Sequence, residues 1–310
     1  MVLSREKPDL GSIPPEVHTP AFSNPDKQWI EQGRPCRRNL LFLNDTSFNS
    51  YVPYVWGYTI YRAVFGGDSD ARFEEGFRRL EAWTRWDVRM QRYDRMLQLQ
   101  KWNRFPGTMP APGERDISDE VAERMWNEVI EDYPDSDQLV TEPEGSEDFS
   151  PIGRAFISWV DNLDVDTSGR NTRYDHCLII DEAALQTLLR LPEQTPPVAP
   201  VDFKSPKYRK LLKLRMSAWV WVLDRTTMEN REDGVEEEFP PWARLRLPHL
   251  RSLWFERPQK LIIDDWQRLV AEDKDQWNTV RWWSTLAKTE NEIRRADRAK
   301  QAQEYKFSRA

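Results

Sequence analysis

Residues 51–65 form the stretch that most constrains the fold. They read YVPYVWGYTIYRAVF, and aromatic and β-branched residues at this density are typical of a strand. A glycine-rich turn follows at 66–68, and apolar residues then recur every three or four positions over residues 70–98. This spacing predicts a long helix that lies back on the sheet formed by the strand.

A second strand-to-helix unit is predicted further along the chain. Residues 173–180 read RYDHCLII, and Asp181 follows as a plausible N-cap for a helix over 182–190. Apolar periodicity predicts two more helices, over 118–133 and over 152–163. The sequence therefore alternates between strand patterns and helix patterns.

Two apolar stretches leave their structure open. Residues 39–48 fit a short buried strand or a helical turn about equally well. Within residues 207–225, the dense run 216–223 suggests a strand, with a buried helix as the alternative. From Ile262 onward the apolar spacing predicts a helix.

These elements indicate an α+β fold. We expect a small, mostly antiparallel sheet, ferredoxin-like in spirit, with the helices over 70–98 and 182–190 on one face. Long insertions and a helical C-terminus would cover the other face. The whole would form a single domain.

The domain boundaries follow from composition. Prolines predict an extended arm over residues 1–38, and the single α+β domain would span 39–290. Acidic loops are expected near 135–148 and 230–238. The charged residues 291–310 predict a frayed C-terminal helix.

Charge and composition exclude several classes of protein. A net charge of −7 argues against a broadly basic nucleic-acid-binding surface, although a local basic patch stays possible. The chain carries 15 Trp, so many indoles must be buried beside hydrogen-bond acceptors. No apolar run reaches the roughly 20 residues of a membrane span, and no signal peptide is evident. We expect a soluble, cytoplasmic protein that does not enter a membrane.

The common cofactor and metal motifs are missing from the sequence. No glycine-rich phosphate loop occurs among the 12 Gly, and no nucleophile elbow is present. With three His and two Cys in the chain, neither an HExxH motif nor a CxxC cluster can form. We therefore expect neither a cofactor nor a metal ion.

His176 is the first of the weak catalytic candidates. It precedes Cys177 in the predicted strand, so the two side chains point to opposite faces and cannot pair with each other. A packed Cys and a hydrogen-bonded His are the ordinary interpretation, whereas a general base is the functional one. Asp175 and Glu182 are the acids that could accompany His176.

An aromatic strand face with an arginine is the candidate ligand-binding surface. Alternation places Trp56, Tyr58 and Arg62 on one face of the strand. A partly buried arginine needs a carboxylate, which Asp175, Asp181 or Glu182 could supply. Arg62 then forms either a structural ion pair or a clamp for the anionic group of a small-molecule ligand.

Two predicted strands, WGYTIYR and CLIID, are similar to strands found in a set of other proteins. The chain resembles a set of filamentous-fungal proteins with no established activity, and the resemblance implies an accessory or tailoring role in specialised metabolism. Three functions stay open: a binding or accessory protein; a transferase-like or cyclase-like tailoring enzyme with an aromatic-lined anion pocket; and a transfer-RNA-dependent peptide-forming enzyme. The basic residues of the tail 290–310 could support the last through charge and stacking, but the acids among them make a solvated helix with i,i+4 pairs the better explanation, and we expect nucleic acid to be an unlikely partner.

Overall fold

The centre of the molecule is a seven-stranded sheet with strand order β2-β1-β3-β4-β5-β7-β6, seen in a computed structural model. The strands are β1 (Thr59–Arg62), β2 (Glu128–Ile130), β3 (His176–Ile180), β4 (Trp219–Asp224), β5 (Trp242–Arg246), β6 (Val270–Glu272) and β7 (Asn278–Val280). The structure describes residues 6–18, 34–47, 50–101, 115–134, 136, 148–167, 171–199, 205–237, 239–256, 266, 270–272 and 278–280.

Helices pack on both faces of this sheet. The α-helices are α1 (Arg34–Thr46), α2 (Ser69–Lys101), α3 (Ile117–Glu123), α4 (Ser150–Asp161), α5 (Thr172–Asp175), α6 (Glu182–Leu189), α7 (Pro206–Ser217), α8 (Arg225–Glu232) and α9 (Leu250–Glu256). Short 3₁₀ helices lie at Pro15–His18 and Leu247–His249. The predicted cap is confirmed, because the Asp181 side chain accepts a hydrogen bond from the backbone of Ala184 at the start of α6.

The sheet is mixed, so the expectation of a mostly antiparallel sheet is wrong. β1 runs parallel to both β2 and β3, whereas β4 is antiparallel to β3 and to β5. β7 is parallel to β5 and antiparallel to β6. Parallel neighbours arise because the chain returns from β1 to β2, and from β2 to β3, through helical crossovers rather than tight turns. The ferredoxin-like order is not confirmed.

One face of the sheet is covered by α2 and α6, which is where the sequence places these two helices. Phe73 and Phe77 of α2 and Leu185 of α6 pack with Ile60 and Leu178 of the sheet. This cluster also contains Trp56, Trp83, Trp86 and Trp254. The largest apolar core therefore lies on this face.

The opposite face is covered by α4 and α8. Ile152 and Phe156 of α4 pack against Tyr61 and Ile179 of the sheet. The α4 segment lies between β2 and β3 in the chain, so this crossover runs over the face opposite to α2. The two crossovers around β1 thus occupy opposite faces of the sheet.

Several predicted elements change in the structure. Only Thr59–Arg62 of the predicted strand 51–65 belongs to the sheet. The helix predicted over 118–133 ends at Glu123, and residues 128–130 form β2 because their backbone pairs with β1 instead. The sequence left two alternatives open. Residues 39–48, a strand or a helical turn, lie mostly in the helix α1. Residues 216–223, a strand or a buried helix, lie mostly in the strand β4.

The predicted helical C-terminus is wrong for two described segments, although Trp266 is helical. Val270–Glu272 and Asn278–Val280 are short strands that pair with each other, and Asn278–Val280 also extends the sheet beside β5. Backbone pairing to an available sheet edge outweighs the helical spacing of the apolar side chains. The basic tail 290–310 and most of the predicted acidic loop 135–148 lie outside the described residues.

The part of the predicted arm that the structure describes packs against the core. Ile13 and Val17 are buried in the main apolar cluster, and Arg37 of α1 donates a hydrogen bond to the carbonyl of Val17. Helix α1 begins at Arg34, within the range predicted as arm. The N-terminal segment that the structure describes therefore packs on the side of the sheet that α2 and α6 cover.

Candidate functional site

Arg62 is held by the protein itself. Its Nε donates to the carbonyl of Val64 at 2.7 Å, and its Nη2 donates to Ser69 Oγ at 2.9 Å. Asp70 and Glu131 provide the carboxylates, the latter at 3.2 Å from Nη1. These contacts match the structural ion pair rather than a clamp for a ligand anion.

The three acids expected beside Arg62 lie elsewhere, so the predicted partners are wrong. Glu182 pairs with Arg72 of α2. Asp181 caps α6 and accepts a hydrogen bond from Trp221 Nε1 at 3.0 Å. Asp175 ends the short helix α5. The sequence missed the true partners because they follow β2 and begin α2, and strand order is not visible in the sequence.

Trp56 and Tyr58 belong to the core. Trp56 Nε1 donates to the carbonyl of Val121 at 2.6 Å, and the Tyr58 hydroxyl donates to the carbonyl of Leu250 at 2.8 Å. Both side chains are 1% exposed. Their polar atoms are thus used in packing, as expected for buried aromatic residues.

His176 lies far from Arg62. Its Nε2 is 3.2 Å from Asp224 Oδ2, and both side chains are buried. Arg62 is paired with Ile180 in the β1–β3 ladder, so His176 is four residues away along β3, about 13 Å at ~3.3 Å per residue. The structure does not bring His176 and Arg62 together. Cys177 lies on the opposite face, as its alternation with His176 predicts.

A cavity of about 650 Å³ lies at the carboxyl ends of β1 and β2, on the α4 face. Neither Arg62 nor His176 lines it. In open α/β sheets, ligands usually bind outside the carboxyl ends of parallel strands. The usual position is the point where successive crossovers lie on opposite faces of the sheet. The residues lining the cavity that matter for its chemistry are Tyr61, Ile130, Tyr133, Arg154, Ser158 and Trp159.

Aromatic rings form the walls of this cavity. Tyr61 and Tyr133 meet edge to face with ring centroids 5.3 Å apart, and Trp159 stacks on Phe156. The Tyr133 hydroxyl donates to the carbonyl of Arg62 at 2.9 Å, which fixes its ring. Burial raises the pKa of both Tyr61 and Tyr133, so the two phenols stay neutral.

Tyr61, which is 1% exposed, and Arg154 are two of the polar residues that line the cavity. Arg154, on α4, supplies a cation at the rim, 3.4 Å from Glu232.

Three buried polar atoms without hydrogen-bond partners belong to residues on or beside β1 and β2, and none of these residues lines the cavity. They are Thr59 Oγ1, Glu128 Oε2 and Arg173 Nη1, and we call Thr59, Glu128 and Arg173 the polar cluster. Thr59 and Glu128 are direct partners in the β1–β2 ladder. Thr59 and Arg173 are 0% and 1% exposed.

The charges of the polar cluster are perturbed by burial. Burial raises the pKa of Glu128, and the nearby Arg173 opposes this rise. Burial lowers the pKa of Arg173 to about 10, and Glu128 opposes that fall. Burial and the attraction between the two charges thus act in opposite directions on each group.

Neighbouring groups hold the polar cluster in place. Arg173 Nη2 donates to the carbonyl of Trp126 at 2.7 Å, and the guanidinium lies 5.1 Å from the Trp126 ring centre. The Tyr51 hydroxyl is 3.4 Å from Glu128 Oε1, and the Tyr51 ring contacts Trp159 of the cavity wall. The orientation of both charged side chains is therefore set by the fold.

Sequence reasoning missed Tyr61, Trp159, Glu128 and Arg173. Tyr61 stands in the strand that was singled out, on the face opposite to Arg62. Glu128 falls in a segment predicted as helix, and Arg173 lies just before β3. Only the pairing of β1 with β2 and β3 brings these residues to one place.

Comparison with known protein families, with characterised proteins and with solved structures finds no match to the chain in any of the three. The resemblance to the fungal set stays a prediction. In the described ranges, none of the helices combines the length and apolar composition needed to cross a bilayer. The same residues contain no group of three or more His, Cys, Asp or Glu placed to hold a metal ion.

Proposed function

We propose that the chain is a binding protein for a small, planar, uncharged molecule. The carrying observation is the aromatic-walled cavity at the carboxyl ends of β1 and β2, with Tyr61, Tyr133 and Trp159 in its wall. Its volume of about 650 Å³ falls in the range of ligand sites. A binding or accessory role is also the first of the functions that the sequence leaves open.

The shape and chemistry of the walls favour a flat ligand. Tyr61, Tyr133 and Trp159 present ring faces and edges, which stack on planar molecules. The phenols are neutral because burial raises their pKa, so they offer hydrogen bonds without charge. A flat ring system with one polar group suits these surroundings.

The contacts of the other candidate residues support binding rather than turnover. Arg62 is satisfied by protein acceptors, and His176 lies beside Asp224 at the other end of β3. Neither residue lines the cavity. The ligand-binding candidate Arg62 and the catalytic candidate His176 thus make contacts within the fold, away from the cavity.

Ligand-detected saturation-transfer NMR with quinoline, a flat uncharged bicycle, tests the proposal. We expect transfer to quinoline in the wild type and at least fivefold weaker binding in Trp159→Ala, since a stacking surface contributes roughly 1 kcal/mol beyond its buried area. Leu212→Ala, an exposed apolar site on α7, serves as the matched control and should bind like the wild type. Quinoline transfer that is absent, or unchanged in Trp159→Ala, would contradict the proposal.

A further inference from the structure

Helix α7 is strongly basic, although the chain as a whole is acidic. Its sequence, PKYRKLLKLRMS, contains no Asp or Glu. The basic side chains are those of Lys207, Arg209, Lys210, Lys213 and Arg215. In a chain with a net charge of −7, α7 therefore forms a local patch of opposite sign.

One side of α7 packs on the core and the other side faces solvent. Leu211 and Leu214 pack against the main apolar cluster. Arg215 is buried, pairs with Asp87 of α2 and lies 4.7 Å from the ring centre of Trp86. The other four basic side chains are exposed and pair with none of the described residues: Lys207, Arg209, Lys210 and Lys213. We call these four side chains the basic face.

The basic face does not serve the stability of α7. Lys207 and Lys210 are three residues apart, and Arg209 and Lys213 are four apart, which are the spacings at which like charges on a helix repel each other. Lys207 also lies in the first turn, where the helix dipole favours an anion. The charges of the basic face are therefore complementary to an anionic partner rather than to the protein itself.

An exposed apolar side chain lies beside these charges. Leu212 is 39% exposed. It shares one side of the helix with Arg209 and Lys213, which are three residues before it and one after it. A helix with clustered Lys and Arg and an exposed apolar residue suits an anionic lipid surface, because the headgroups attract the charges and the apolar side chain enters the boundary with the acyl chains.

The other anionic partners fit α7 less well. Single-stranded nucleic acid is bound by aromatic side chains on which the bases stack, but the aromatic residue of α7, Tyr208, is half-buried. A stable protein partner covers about 800 Å² around an apolar centre, and Leu212 is the large apolar side chain that α7 exposes. A lipid surface requires neither feature.

We propose that the basic face and Leu212 dock the protein on an anionic lipid bilayer. Leu211 and Leu214 keep α7 packed on the core, so the helix lies on the headgroups without crossing the bilayer. The attraction is between exposed charges, so binding weakens as salt is added. This docking surface is separate from the proposed ligand cavity, which α7 does not line.

Sedimentation with sucrose-loaded vesicles tests the docking surface. We expect the wild type to bind vesicles of phosphatidylcholine with about one third phosphatidylserine, and not to bind pure phosphatidylcholine. Lys210→Glu/Lys213→Glu should bind at least about 25-fold more weakly, because each basic residue near an anionic surface strengthens binding roughly fivefold. The double variant should unfold at the same temperature as the wild type or higher, since it removes like-charge repulsion.

Arg38→Glu/Arg190→Glu is the matched control. It reverses two exposed cations outside α7 and changes the net charge by the same amount, so it should bind like the wild type. A wild type that does not bind phosphatidylserine vesicles would overturn the proposal. Equal binding by Lys210→Glu/Lys213→Glu would also overturn it.

Two further measurements separate lipid from other anionic partners. Leu212→Ser should weaken vesicle binding about threefold or more, and unchanged binding would contradict contact between Leu212 and the acyl chains. Tighter binding to single-stranded oligothymidine than to the vesicles would make nucleic acid the partner and overturn the proposal.

Discussion

At the scale of single residues, Arg62 shows how a functional signature can arise from folding. Its side chain is 6% exposed, and four protein groups accept its hydrogen bonds: the carbonyl of Val64, Ser69, Asp70 and Glu131. Burying a charged guanidinium is energetically costly unless hydrogen-bond acceptors and carboxylates of this kind surround it. Arg62 therefore fastens the end of β1 to the start of α2 and to the segment after β2.

Replacing Arg62 with Met should destabilise the protein by about 2–4 kcal/mol, since it leaves Glu131 and the carbonyl of Val64 without their donor. Urea denaturation measures this change. Asp70→Asn is the control, and because Asp70 is exposed it should shift the midpoint far less. Unchanged stability in Arg62→Met would argue that the guanidinium is available to a ligand.

The pKa of Glu128 predicts a pH dependence of stability. Burial raises this pKa above 4.5, so the folded chain holds the proton more tightly than the unfolded chain. The stability that the protonated carboxyl contributes is fully present below pH 4.5 and is lost as the pH rises through the folded-state pKa. The wild type should therefore lose stability relative to Glu128→Gln between pH 4 and pH 7.5.

Chemical denaturation of both proteins at these two pH values gives the comparison for Glu128. The Gln side chain stays neutral throughout, so it reports the other groups that titrate in this range. A wild type that gains stability relative to Glu128→Gln on raising the pH would show that Arg173 outweighs burial. The charge balance within the polar cluster would then be the reverse of the one described.

At the scale of elements, the approach of β1 to the segment before β2 depends on one glycine. Gly57 has a φ of +138°, and a Cβ at this position would lie 2.1 Å from the carbonyl oxygen of Trp126. The carbonyl of Gly57 also accepts a hydrogen bond from Trp254 Nε1 at 2.9 Å. The positive φ and the short Cβ contact exclude a side chain at Gly57.

Gly57→Ala should cost about 3 kcal/mol or more, because the backbone of Trp126 has to move away from its place beside β1. Gly234→Ala offers the comparison, since Gly234 also has a positive φ of 78° but a Cβ added there would meet no described atom within 4 Å. That variant should cost about 1 kcal/mol. Thermal unfolding of the two variants decides the point, and equal effects would contradict this role of Gly57.

Local patterns predicted the elements that depend on local forces. The periodicity of α2 and the Asp181 cap of α6 are encoded within a few residues, and both are present. The direction of the strands depends instead on the length of each crossover, which the apolar pattern does not report. β2 is only three residues long. Alternation of polar and apolar residues over so short a stretch does not distinguish a strand within the segment 118–133, whose apolar spacing predicts a helix.

The candidate site could not be predicted because it is assembled across elements. Tyr61, Glu128 and Arg173 come from β1, β2 and α5, and they meet through the β1–β2 and β1–β3 pairings. The sequence did identify the strand, but it favoured the face that carries Trp56, Tyr58 and Arg62. That face packs against helices, and the opposite face carries the cavity.

At the scale of the whole molecule, the two faces of the sheet are covered by different helices and carry different features. The face beneath α2 and α6 holds the large apolar cluster, in which the Trp83 indole donates to the carbonyl of Pro192 at 2.9 Å. The face beneath α4 holds the cavity and the polar cluster. The binding role that we propose belongs to the face beneath α4.

Fluorine NMR of the protein labelled with 5-fluorotryptophan tests this division most directly. Trp159→Phe and Trp83→Phe assign two resonances. One belongs to the cavity wall, and the other belongs to the sheet face that α2 and α6 cover. On titration with quinoline, the Trp159 resonance should shift until the site is saturated, and the Trp83 resonance should stay in place. A Trp159 resonance that does not respond, or a Trp83 resonance that shifts equally, would contradict the account.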